Sequence, residues 1–158
     1  MYGPPGVAYV YFIYGMYNCF NIVCEPEGSG AAVLVRAIDP CRGLPAMWRN
    51  RYLGRPFPDV GAAGPDRLSM PPAEIRNLTS GPGKLCRALG ITRERHNGAP
   101  IRSLENGAGP DDLVVARREA APVAGQVRCG PRVGIRSATT RPWRFWMAGN
   151  PFVSKAGR

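Results

Sequence analysis

Residues 7–38 read VAYVYFIYGMYNCFNIVCEPEGSGAAVLVRAI, and this stretch decides the fold. Three runs rich in β-branched and aromatic residues, 7–14, 17–24 and 31–38, are separated by Gly15-Met16 and by the polar turn Glu25-Pro26-Glu27-Gly28-Ser29-Gly30. That punctuation predicts an antiparallel meander. Side chains alternate along a strand, so Tyr9, Tyr11 and Ile13 share one face of the first run while Ala8, Val10, Phe12 and Tyr14 share the other. Tyr14 falls beside the tip of the first hairpin, where its ring would project from the sheet. An aromatic in that position can act as a wedge between stacked bases.

On either side of the meander the chain is punctuated by Gly and Pro. Residues 1–6 are a turn-rich lead-in that enters an apolar strand abruptly, as though that strand should have neighbours on both sides. Leu44, Met47, Trp48 and Tyr52 recur at helical spacing within 43–53, which core packing explains. Residues 54–72 are Pro/Gly-rich with little periodicity and read as a long surface loop. A short helix is expected within 79–90, capped by Ser80, with Pro82 in its first turn, Leu85, Cys86 and Leu89 facing inward, and Gly90 as its stop. Its N-terminus with Lys84 is suited to an anion such as a DNA phosphate, although plain capping accounts for it equally well. Residues 92–109 read as a polar loop, and 113–116, 127–135 and 143–148 as further strands. The whole is expected to be a single domain of mixed α/β (α+β) class over residues 1–158, a curved and mostly antiparallel sheet with short helices around it.

The chain carries 21 Lys and Arg against 11 Asp and Glu, a formal charge of +10, which favours a polyanionic partner such as nucleic acid. Cys19, Cys24, Cys41, Cys86 and Cys129 are an odd number with no CxxC pair, and buried free thiols are the expectation for those in strand and helix patterns. With a single His, no metal site is expected. There is no run of 18 apolar residues and no basic-then-apolar leader, so the sequence reads as a soluble, non-secreted chain without a membrane partner.

Five ordered blocks, AYVYFIYGMYNCFNI, AAVLVRAIDP, NLTSGPGKLCRALGI, GPRVGI and PWRFWMAGNPFVS, resemble the alkyladenine (3-methyladenine) DNA glycosylase family. The resemblance implies a monofunctional base-excision repair enzyme, an intracellular monomer working on the chromosome. Its partner would be duplex DNA holding a damaged purine, and it would use no metal or cofactor. By resemblance Tyr14 is the intercalating wedge with Met16 beside it. Tyr11 is an aromatic wall of the base pocket, and Asn21 crowds the exocyclic amino group of a normal guanine. Arg36 and the Val133 carbonyl position the attacking water, and Lys84 serves a phosphate.

Three of these have plainer readings that stay open. Tyr11 could be core with a bonded hydroxyl, Asn21 could bind neighbouring backbone, and Arg36 could be half of an ion pair. In the family the MYGPPG-like segment is internal, and the portion before it supplies the carboxylate that activates water. No position here matches that group, so Met1 is expected to be an internal methionine and the chain to bind DNA with little turnover. Two alternatives are a non-catalytic nucleic-acid-binding domain and a small β-rich interaction domain of the formyltransferase-tail kind, basic only for solubility.

Overall fold

The computed structural model of the 158-residue chain describes residues 1–58, 70–104, 107, 109, 111–116 and 120–154. They fall into two compact units, Met1–Ala116 and Arg117–Arg158.

The first unit is built on the expected meander. Strands β1 (Ala8–Ile13), β2 (Tyr17–Val23) and β3 (Ala32–Leu34) lie in the order β1-β2-β3, antiparallel throughout. The register sets Ala8 opposite Ile22 and Val10 opposite Phe20, so these side chains share one face. Ala8, Val10 and Phe20 join Leu85, Cys86 and Ile91 in a buried cluster, with Ile22, Val35 and Ile38 packed against it. Fully burying a side chain of this size contributes about 1.5–3 kcal/mol. That matters for helix α3 (Pro82–Leu89), whose eight residues are too few to be stable alone, since isolated helices are marginal below ~12–15 residues.

Two strand ends differ from expectation for identifiable reasons. The first strand stops at Ile13 because Tyr14 and Gly15 take φ of 54° and 66° and become the central pair of the hairpin turn, closed by Met16 N donating to Ile13 O at 3.3 Å. Positive φ at both central residues is what a type I′ hairpin turn requires. The third strand, expected over 31–38, is only Ala32–Leu34. Val35 N still reaches Phe20 O at 3.0 Å, but Ala37 then bridges to Ser80 and Thr79 Oγ1 donates to Ile38 O at 2.7 Å. The chain is thereby drawn off the sheet toward the α2–α3 link.

The outer edge of β1 does find a neighbour. Ala8 N donates to Ala99 O at 2.8 Å, Gly98 N to Ala8 O at 2.8 Å, Val10 N to Asn97 Oδ1 at 3.0 Å and Ile101 N to Gly6 O at 2.8 Å. A segment expected to be loop thus covers a strand edge that would otherwise present unpaired amides. It follows helix α4 (Arg93–His96), capped by Thr92 Oγ1 accepting from Arg95 N at 3.3 Å, and it leads into β4 (Ile101–Ser103), which pairs in parallel with β5 (Leu113–Val115).

Helices α1 (Leu44–Arg51), α2 (Pro72–Thr79) and α3 complete this unit. The aromatic stripe is core as expected: Leu44 and Trp48 are buried, and Tyr52 packs its ring 4.5 Å from that of Trp48. Helix α2 begins where the expected loop 54–72 ends, and residues 59–69 of that loop lie outside the described residues. Helix α3 is not capped by Ser80; its N-cap is Gly81, with no side-chain cap, and Ser80 instead closes α2. Its buried residues are Leu85, Cys86 and Ala88, whereas Leu89 is exposed. Cys19 and Cys86 are buried free thiols, but Cys24, just past the end of β2, is exposed, as are Cys41 and Cys129.

In the second unit, β6 (Val127–Gly130) and β7 (Arg144–Met147) form an antiparallel ribbon. The strand expected over 127–135 ends at Gly130 because Pro131 has no amide to continue the ladder. The class is α+β as expected, but among the described residues the strands form three small sheets, two antiparallel and one a parallel pair, in place of one continuous curved sheet.

Candidate nucleic-acid interface

The hairpin of the meander ends in apolar side chains that face solvent. Tyr14 is 81% exposed, Met16 65% and Phe12 50%, which places the expected wedge and its neighbour outside the core. Tyr14 is one of two non-glycine residues with positive φ among those described. A bulky residue in that region costs about 1–3 kcal/mol and is characteristic of sites where function uses the strained geometry.

Tyr17, at the foot of the turn, is anchored differently. A Cβ built on Gly83 would lie 2.6 Å from Tyr17 Cδ1 and 3.0 Å from its Cβ, so the first turn of α3 rests directly against this ring. The absence of a side chain at 83 is what lets the helix approach the hairpin so closely.

Below the tip, one face of the meander carries the other expected residues. Tyr9 is the register partner of Asn21, and Tyr11 of Cys19. The Tyr9 and Tyr11 rings lie 5.5 Å apart at 34°, forming a continuous half-buried aromatic surface. Burial pushes the Tyr11 phenol up to about 12, with the adjacent Cys19 adding to it.

Asn21 is buried, and its Nδ2 donates to Tyr9 O at 3.0 Å and to Cys19 O at 3.3 Å. The carboxamide is therefore fixed by strand carbonyls, as its plainer reading has it, while Oδ1 takes no hydrogen bond among the described residues. Leu34 is the register partner of Asn21. Alternation continued through the Val35–Phe20 bond brings Arg36 to this same face, two residues beyond the end of β3. Arg36 is half-buried and forms no ion pair among the described residues.

Tyr11, Asn21 and Arg36 are thus brought onto one face, with Tyr14 and Met16 at its end. Val133 belongs to the second unit, in the link between β6 and β7. Lys84 sits elsewhere in the first unit, at a cleft of about 460 Å³ lined by residues including Trp48, Tyr52, Arg55, Glu74, Arg76 and Ser80. There it donates to Asn77 Oδ1, and Asn77 Nδ2 in turn donates to Tyr52 Oη at 3.0 Å. The Arg55 guanidinium lies 5.6 Å from the Trp48 ring centre and 5.7 Å from that of Tyr52, so this cleft is basic with an aromatic wall.

Sequence reasoning missed the cleft because one wall comes from α2, hidden behind the Gly/Pro-rich stretch. The spacing of Ile75, Leu78 and Thr79, all buried, was the signal available for that helix. The three strands of the meander contain no Asp or Glu. Among the described carboxylates Glu25 and Glu27 are exposed in a turn, and Asp111 and Asp112 pair with Arg95 and Arg102.

Comparison with known proteins places the chain in a family. The sequence pattern of the family described as methylpurine-DNA glycosylase (MPG) matches residues 1–151. A protein named as a 3-methyladenine DNA glycosylase in Rhodopseudomonas palustris is 43% identical over 155 residues, covering 98% of this chain and 61% of that protein. Similarly named proteins of Bacillus cereus and Bacillus thuringiensis are 41% and 40% identical over 160 and 161 residues, covering 98% of this chain and 68% of each of theirs. The chain therefore spans between three fifths and seven tenths of the length of these relatives.

Proposed function

The chain belongs to the methylpurine-DNA glycosylase family, and from that premise we propose that it serves base-excision repair as a monofunctional glycosylase. In this reading it flips an alkylated or deaminated purine, of the 3-methyladenine or hypoxanthine type, out of duplex DNA and hydrolyses its N-glycosidic bond. The observation that carries the reading is Tyr14, a ring 81% exposed on a left-handed turn residue, which adds nothing to the core and costs backbone strain. Inserted between base pairs, such a ring offsets part of the few kcal/mol needed to unstack a step and extrude a nucleotide. Met16 widens the same wedge.

The extruded purine would stack on Tyr11, which Tyr9 backs. Asn21, held rigid by two main-chain carbonyls, would crowd the exocyclic amino group of guanine, and a site that leaves that group clashing or unpaired rejects it strongly. In the hydrolytic step the water oxygen bonds to the sugar anomeric carbon as the carbon–nitrogen bond breaks, and the bonding pair leaves with the base. Departure neutralises a cationic lesion such as 3-methyladenine; a neutral one such as hypoxanthine needs a proton from an acid or firm hydrogen bonding. Arg36 would orient the water. The water's proton must pass to a general base, which on this reading is not among the meander residues, so the 158-residue chain binds damaged DNA but turns over little.

The test is an excision assay on duplex carrying 3-methyladenine or hypoxanthine, run on this chain and on one carrying the further residues its relatives possess. Binding without turnover by the first and excision by the second is the expected pair of results. Replacing Tyr14→Ala should clearly weaken binding to the damaged duplex; unchanged binding would remove the glycosylase reading.

A further inference from the structure

Charge is distributed very unevenly between the two units. Residues 117–158 hold nine of the 21 basic residues but one of the 11 acidic ones, so they carry +8 of the formal +10. In the first unit two exposed arginines are paired with carboxylates: Arg95 with Asp111, and Arg102 with Asp112 at 3.1 Å. In the second unit three guanidiniums lie over rings. Arg132 and Arg141 lie 5.2 Å and 5.6 Å from the centre of the Trp143 indole, and Arg144 lies 4.8 Å from that of Trp146. A cation over an aromatic face is oriented without being neutralised, so its charge stays available; Arg132 is further fixed by Nη2 donating to Ser137 O at 3.3 Å, with its Nε buried. Arg132 and Arg141 share one indole, which puts their guanidinium carbons within 10.8 Å of each other by those two distances. That is close to the Debye length of ~8 Å at physiological salt, so the two act on a ligand together. Trp143 and Phe145 remain 56% and 70% exposed beside them.

We infer that the β6–β7 ribbon is a docking surface for the phosphate backbone of duplex DNA, with Trp143 as the positioning residue that holds Arg132 and Arg141 ready for phosphate oxygens. Planar guanidiniums suit bidentate phosphate contacts, and contacts to phosphate confer affinity for any sequence, damaged or not. This rests on the DNA-binding reading above and adds to it a lesion-independent contact surface on the second unit.

The test measures binding of the 158-residue chain to undamaged and hypoxanthine-containing duplexes across a salt series. The wild type is compared with Arg132→Gln/Arg141→Gln and with Arg132→Lys/Arg141→Lys, each checked for native circular dichroism. Each lost phosphate contact lowers the slope of log K against log salt by roughly 0.9, so the Gln pair should lose up to about 1.8, equally on both duplexes, and the Lys pair should keep most of it. The single exposed Arg141→Gln variant, expected to lose about 0.9, serves if the double variant does not fold. A slope equal to wild type in the Gln variants overturns the inference, as does a change confined to binding of anionic phospholipid vesicles. Should wild type show the slope but no preference for the lesion, the glycosylase reading fails and this one stands. A lesion preference with unchanged slopes has the opposite meaning.

Discussion

Asn21 shows how one residue serves the sheet and the proposed pocket together. Its amide satisfies the Tyr9 and Cys19 carbonyls from a buried position, so Asn21→Ala leaves both without that donor. The expected cost is about 1–3 kcal/mol, read as a lower urea midpoint at unchanged m. Tyr14 trades in the other direction. Asn tolerates the left-handed region and Asn-Gly is a favoured type I′ pair, so Tyr14→Asn should raise stability by about 1 kcal/mol while weakening binding to damaged duplex. A variant both less stable and unimpaired in binding would contradict the wedge.

The thiols divide by burial in the same way. Burial pushes Cys86 up to about 12, with the neighbouring Cys19 adding to it, and both are inaccessible. Under native conditions at neutral pH, iodoacetamide should modify Cys24, Cys41 and Cys129 and spare Cys19 and Cys86, as peptide mass mapping would reveal.

At the scale of elements, the contact between α3 and the hairpin is the sensitive one. Gly83 sits in the first turn of α3, where alanine would ordinarily gain about 1 kcal/mol of helix propensity. Tyr17 occupies the space a Cβ needs, and the conflict includes its Cβ and Cγ, which cannot swing away as a flexible chain end could. Gly83→Ala should therefore destabilise, by about 1–3 kcal/mol, and should disturb the wedge because Tyr17 lies at the foot of its turn. Denaturation together with damaged-duplex binding checks both halves. The covering of β1 by residues 97–101 is an element-scale feature that propensity could not announce, since the segment pairs through main-chain groups and the Asn97 side chain without any alternation of its own.

For the whole molecule, the partition of charge matters more than its total. A net +10 invites a polyanion, but +8 of it lies in the 42 residues of the second unit, so removing arginines there should flatten the salt dependence of DNA binding more than removing as many from the first unit. No described helix is long and apolar enough to cross a membrane.

The sequence by itself determined the meander, the exposed ring at its tip and the aromatic stripe of α1, because each follows from period-two or helical alternation and turn chemistry within a short window. Only the tertiary structure decided where β3 ends, what covers β1, that α2 exists behind a proline-rich entry, and that Ser80 closes one helix instead of opening the next. The first two depend on hydrogen bonds between residues far apart in the chain, such as Thr79 to Ile38 and Ala8 to Ala99. Local preference carries no record of such partners until the chain has packed.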